Sequence, residues 1–234
     1  MTNYCPIIEP GDVIAVGDIH GRYDLFEEFL NHARGSEATV ILLGDLIDRG
    51  GADIQVLNKV RSLLEDSESE GLSNFFVLMG NHEAMFVDAC VGPGSEFSLW
   101  MQNGGNFEQY GEMQEHLDWI CELPVYMTIG DTMFIHAGFW PGMNPFETID
   151  KGGTDSILWM REPFLSMGPQ FEKWNPDLKR VVFGHTPKVN GPEEGKPYEI
   201  PGGGICIDSG AYFTDRLTSY NATRDTLNQY TTDL

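Results

Sequence analysis

Three apolar runs in this chain, Val13–Val16, 40–43 and 75–79, each stop at a glycine and hand over directly to polar, chemistry-bearing residues. The junctions read Gly17-Asp18-Ile19-His20-Gly21, Gly44-Asp45-Leu46-Ile47-Asp48-Arg49-Gly50 and Gly80-Asn81-His82-Glu83. A short apolar run bounded by glycine reads as a buried strand. Helical spacing follows the first two: Leu25, Phe26, Phe29, Leu30 and Ala33 within Tyr23–Ala33, then Ile54, Leu57, Val60, Leu63 and Leu64 within residues 52–64. Strands that alternate with amphipathic helices require parallel pairing through right-handed crossovers. That constraint brings three strand ends to one edge of a sheet, where open α/β folds place their chemistry.

The second half changes character. Residues 83–90 start as a helix and lead into 92–110, rich in glycine and aromatics, which reads as a loop or cap over the strand ends. Residues 113–123 read as a helix stopped by Pro124. Residues 125–129 and Thr132–Ile135 flank Gly130-Asp131 and read as a hairpin. Further strands are expected at Arg180–Phe183, 204–207 and 217–220. Two of these strand ends again present histidine, in His136-Ala137-Gly138 and Gly184-His185-Thr186. Residues 139–150, with Pro141, Gly142 and Pro145, read as a loop. With no repeat or linker among the 234 residues, a single domain over 1–234 is expected.

Charge narrows the function classes. The 36 acidic residues against 14 basic leave a net charge of −22, which repels nucleic acid and anionic lipid. No run approaches the roughly 20 apolar residues of a membrane span. Residues 1–6 lack the pattern of a secretory leader, so the cytoplasm is the expected compartment. Cys5, Cys90, Cys121 and Cys206 form no paired motif and are expected as buried, reduced thiols. Against this acidic background, Arg22 and Arg49 stand out beside the first two strand ends; Arg22 reads equally as a third site cation or as the partner of a surface acid.

Asp18 and His20 are two residues apart in extended chain and so face one side, where both can reach one ion. Asp45 from the neighbouring strand end can bridge to a second ion, whose shell Asn81, His136 and His185 would complete. Carboxylate, amide and imidazole without thiolate suit hard or borderline divalent metals. Two such ions about 4 Å apart can orient a phosphoryl group and activate a water. Each residue alone has a plainer explanation: Asn81 caps a helix, and a lone histidine after a strand is usually structural. Their joint occurrence at successive strand ends outweighs these readings.

The ordered set GDxHG, GDxxDRG, GNHE, HAG and GHT, with Leu158-Trp159-Met160-Arg161-Glu162, resembles the phosphoprotein phosphatase family of metallophosphatases, most closely its small bacterial and phage-type members. The likeness runs from about Asp12 to Tyr220. It implies an α/β calcineurin-like metallophosphoesterase fold, a central β-sandwich of mixed sheets flanked by helices. It assigns Asp18, His20 and Asp45 to one metal and Asp45, Asn81, His136 and His185 to the other. His82 matches the general acid and Asp48 the carboxylate that orients it, while Arg49 and Arg161 match phosphate clamps. The implied cofactors are two divalent ions, manganese first, with iron or zinc sharing the same ligands. The implied reaction is hydrolysis of phosphate monoesters by direct attack of metal-bound hydroxide. Phosphoserine or phosphothreonine in a protein or peptide leads as substrate, with phosphotyrosine open. Two alternatives are a dinucleoside polyphosphate hydrolase, against which Asp48 and Glu83 speak, and an inactive phosphate-binding module, against which the full residue set speaks.

Overall fold

The computed structural model describes residues 11–232; Cys5 and the segment read for a leader lie outside the described residues. In chain order, the strands are β1 (Val13–Val16), β2 (Thr39–Leu42), β3 (Asn74–Val77), β4 (Tyr126–Ile129), β5 (Thr132–Ile135), β6 (Arg180–Phe183), β7 (Tyr198–Ile200), β8 (Gly204–Cys206), β9 (Leu217–Asn221) and β10 (Thr226–Tyr230). They form two five-stranded sheets, in the orders β10-β9-β1-β2-β3 and β4-β5-β6-β8-β7. Strands β1, β2 and β3 are parallel, as are β5, β6 and β8, while the outer strands pair antiparallel.

Side-chain alternation along each strand sorts the apolar residues into layers. From β1 and β2, Val16, Val40 and Leu42 point outward, under α1 (Tyr23–Ala33) and α2 (Asp53–Glu65). Their neighbours Val13, Ala15, Ile41 and Leu43 point inward and meet Met127, Phe134, Val182 and Ile205 of the other sheet. Met133, Ile135, Val181 and Phe183 face out again, against Ile157, Leu158 and Phe164. Sheet packs on sheet with helices outside, the mixed-sheet sandwich flanked by helices that the motif resemblance implied. Among the described residues, no helix is long and apolar enough to cross a membrane.

Several local expectations need correction. Residues 92–110 are not all loop: α3 (Asn81–Val91) is followed at once by α4 (Gly94–Gln102), whose Trp100 is fully buried. Glycine-rich composition hid this helix, because packing of Phe86, Phe97, Trp100 and Tyr110 stabilises it more than propensity does. Residues 113–123 break into helical turns, Tyr110–Met113, Gln114–His116 and Leu117–Ile120. Cys121 follows the last turn and is exposed, Cys90 is half-buried, and Cys206 alone of these three is buried as expected. Within 139–150 a helix, Pro145–Gly152, starts at a capping box: Asn144 accepts from the Glu147 N–H and Glu147 from the Asn144 N–H. Strands β7 and β10 carry mostly exposed or half-exposed residues at sheet edges, where no apolar pattern announces them.

Candidate active site

The strand ends turn sharply, and the turns are strained. His20, Asp45, Asp48, Arg49 and His185 have φ of 48°, 51°, 72°, 72° and 67°, the left-handed region that non-glycine residues avoid. Such conformations persist where the surroundings over-determine them, commonly at functional sites. Two glycines allow the close approach. A Cβ on Gly80 would lie 2.3 Å from the Asp45 nitrogen, and one on Gly184 would lie 2.0 Å from an Asp18 carboxylate oxygen. Buried Glu83 ties the second and third turns together, accepting from the N–H groups of Asp45, Leu46 and Gly80 at 2.8, 2.8 and 3.0 Å.

One wall of the site is a convergence of neutral ligand atoms. His136 donates from Nδ1 to the Leu43 carbonyl at 2.9 Å, which leaves the Nε2 lone pair facing inward. That Nε2 lies 2.9 Å from Asn81 Oδ1 and 3.3 Å from His185 Nδ1, and Asn81 Oδ1 lies 2.8 Å from His185 Nδ1. An Asp45 oxygen is 3.5 Å from the same Nε2. Burial, helped by neighbouring His136, depresses His185 to about 2, and burial also lowers His136. These imidazoles are therefore neutral, and with Asp45 their ligand atoms fall within 4.8 Å of one another. With the His185 proton on Nε2, these atoms are acceptors aimed at one point, a set that fits a divalent cation. This is the second ligand set expected from sequence.

The first ligand set is assembled less tightly. His20 donates from Nδ1 to the Ile47 carbonyl at 3.0 Å, its Nε2 lies 3.5 Å from Asp45, and burial depresses it to about 3. The third residue within reach of these two is His82. Asp18 instead accepts from the His185 N–H at 3.0 and 3.2 Å and lies beside Asp208. Burial, then the charges of Asp208 and Asp45, raise Asp18 well above the usual carboxylate range. Burial opposes ionisation of Asp45 too, but surrounding imidazoles, His136 foremost, hold it below that range.

His82 is buried, and its Nδ1 lies 2.6 Å from Asp48 Oδ2. Trp100 Nε1 donates to both Asp48 oxygens at 3.0 Å, and the Asp48 N–H donates to Asp53 at 2.9 Å. Burial lowers the His82 pKa, but the charges of Asp45 and Asp48 outweigh it and the net shift is upward. Its Nε2 has no hydrogen-bond partner, and the residue borders the cavity.

That cavity holds about 160 Å³ and is bordered by His20, Asp45, Asn81, His82, His185 and Asp208, with Arg49 and Arg161 among its cations. Arg49 donates to His20 Nε2 at 2.8 Å and stacks 5.0 Å above the Tyr212 ring; both Arg49 and Arg161 are exposed. Arg22 does not border the cavity. It pairs with Asp24 and Asp215 at 2.6 Å and with the Ala211 carbonyl at 2.8 Å, the second of its two readings from sequence. His32 is exposed, and buried His116 accepts from Trp119, so neither enters the site.

Asp208, Glu83, Asp53, Trp100 and Tyr212 were not singled out as site residues from sequence. Asp208 carried the same signal as the rest, an apolar run (204–207) ending in Asp-Ser-Gly. Trp100 and Tyr212 carried none, because their place depends on how α4 and the segment Ala211–Thr214 fold back.

Residues 11–204 match the family model described as calcineurin-like phosphoesterase. The symmetrical bis(5′-nucleosyl)-tetraphosphatase of Acidovorax ebreus (strain TPSY) is 28% identical over 178 residues, 70% of this chain and 59% of that protein. The Shewanella-like protein phosphatase 1 of Plasmodium berghei (strain Anka) is 26% identical over 146 residues, 55% of this chain and 39% of the relative. The chain thus spans less than two thirds of either relative. The crystal structure of a cold-active protein-tyrosine phosphatase of a psychrophilic Shewanella shares the fold, with a TM-score of 0.64 at 19% identity over 97% of this chain and 82% of that one.

Proposed function

The chain belongs to the calcineurin-like phosphoesterase family, and from that premise we propose that it removes phosphate from monoesters on protein side chains. Its His and Asp groups fit the pair of divalent ions such enzymes use; manganese is the proposed metal. When bound, the ions neutralise phosphoryl charge and lower the pKa of a water. Asp45 would hold both, with His20 and Asp18 on one side and Asn81, His136 and His185 on the other. Arg49 and Arg161 would meet the phosphoryl oxygens, a geometry that a guanidinium fork suits.

The observation that carries the monoester reading is the 2.6 Å contact of Asp48 with His82. Asp48 keeps Nδ1 protonated and raises the imidazole's affinity for its second proton, which then sits on Nε2, the nitrogen without a hydrogen-bond partner. A group so placed can protonate an oxygen leaving group. Serine, threonine and tyrosine oxygens are all strong bases when they depart, so the proton is worth most for them. A departing nucleotide phosphate is a weaker base and gains less. The relatives' names support a second reading, hydrolysis of dinucleoside tetraphosphates. Turnover of a phosphopeptide and of diadenosine tetraphosphate by one metal-loaded preparation decides between them: faster kcat/KM on the tetraphosphate overturns the monoester reading.

A further inference from the structure

We propose that the mouth of this cavity selects aryl phosphates, the phosphotyrosine side chain in particular, over alkyl phosphates. The proposal rests on the phosphatase reading above and deepens it. The reacting machinery and a set of rings border the same cavity, beside Arg49 and Arg161. Tyr212 meets the His20 imidazole edge to face, with centroids 5.4 Å apart, and Trp159 meets His185 in the same manner at 5.6 Å. Phe213 packs on Tyr212 at 4.9 Å, and Pro187 and Val189 border the same cavity. Rings therefore stand directly against two of the proposed ligand imidazoles, His20 and His185.

Three of these side chains remain exposed: Tyr212 at 40%, Phe213 at 37% and Val189 at 56%. They form an apolar collar on a chain of net charge −22, where solubility alone favours polar residues. Water leaves such a collar when a flat apolar group enters, and ring–ring contacts add to that gain.

The collar's position identifies its occupant. Whatever is bonded to the phosphoryl oxygen leaves the cavity past these side chains. A seryl or threonyl ester offers one or two carbons there before its polar backbone arrives. A tyrosyl ester offers a whole ring and keeps its backbone outside the rim. A nucleoside monophosphate would place ribose hydroxyls against Phe213, Pro187 and Val189, whose side chains offer no hydrogen-bond partner. The cavity's 160 Å³ is also small for a nucleotide but suits a phosphoryl group with part of one ring.

The test uses ligands that cannot turn over, so leaving-group reactivity plays no part. Calorimetry on the metal-loaded protein would compare inorganic phosphate, methylphosphonate, phenylphosphonate and adenosine 5′-monophosphate. Phenylphosphonate is expected to bind about tenfold more tightly than methylphosphonate, a gain typical of one ring entering an aromatic site. Phe213→Ala and Tyr212→Leu should each reduce that ratio to about threefold, and the double variant to near unity. Equal affinities in the unaltered protein, a ratio that survives both substitutions, or tighter binding of adenosine 5′-monophosphate would overturn the proposal. Failure of inorganic phosphate itself to bind would instead overturn the phosphatase reading beneath it.

Discussion

His82 and His185 border one cavity, both buried and both with an Nε2 that has no partner, yet they titrate in opposite directions. His82 lies on the wall built by β2, β3 and α3, where Asp45 and Asp48 favour its charged form. His185 lies on the wall built by β5 and β6, where burial and His136 hold it neutral down to about 2. The proposed function gives this one residue type two purposes, a proton donor at His82 and a metal ligand at His185. The environment makes this division of labour, since an isolated imidazole near 6.5 would do either job poorly.

The sharpest way to break this contrast is to remove the carboxylate common to both walls. Asp45→Asn should lose most bound metal and nearly all phosphatase activity, measured by metal analysis beside turnover. A variant that keeps two metals and near-normal rates would refute its bridging place.

Replacing His82, the proposed proton donor, should affect the chemistry while sparing the metals. His82→Asn is expected to retain both ions while kcat on an alkyl phosphate falls by about 10²–10⁴. The loss should be smaller on aryl phosphates with good leaving groups, and Asp48→Asn should show a milder form of the same pattern. Equal losses on both ester types would show that His82 does not donate the proton.

The two walls should also differ in proton release when metal binds. His20 near 3 and His185 near 2 have no proton to give at neutral pH. Asp18, raised well above its usual range, and Asp208, pushed up to about 7 by burial and by Asp45, hold one between them. Metal must displace that proton, so affinity should rise up to about tenfold per pH unit below 7 and level off above it. Calorimetry in buffers of different ionisation enthalpy should count about one proton released near pH 6. Two or three would mean that the imidazoles carry ordinary pKa values.

The smallest effect is expected at Trp100. Trp100→Phe removes the Nε1–H that both Asp48 oxygens accept and leaves a small gap. An unmet hydrogen bond to a charged group costs about 1.5–3 kcal/mol. The pH limb assigned to His82 should shift upward, because Asp48 becomes a stronger acceptor, with kcat changed about threefold or less. A kcat unchanged together with an unmoved pH limb would remove Trp100 from the dyad.

Much of the fold could be read from residue order because parallel β-α-β units announce themselves locally. Apolar runs, helical spacing and glycine punctuation all lie within about 30 residues of one another. The same locality made Asp18, His20, Asp45, Asn81, His136 and His185 recognisable, since each follows a strand by one to four residues. It failed at α4 and β10, where tertiary packing or an edge position stands in for a periodic pattern.

Sequence alone therefore determined which residues meet at the strand ends, because chain connectivity and strand direction leave them no other edge. The tertiary structure decided what each one does there. It placed Asp18 beside Asp208, seated Trp100 on Asp48, spent Arg22 on surface acids and set Tyr212 against His20. Those outcomes depend on distances of a few ångströms between segments far apart in the chain, and on burial that shifts a proton one way or the other. Neither quantity is written in the spacing of a motif.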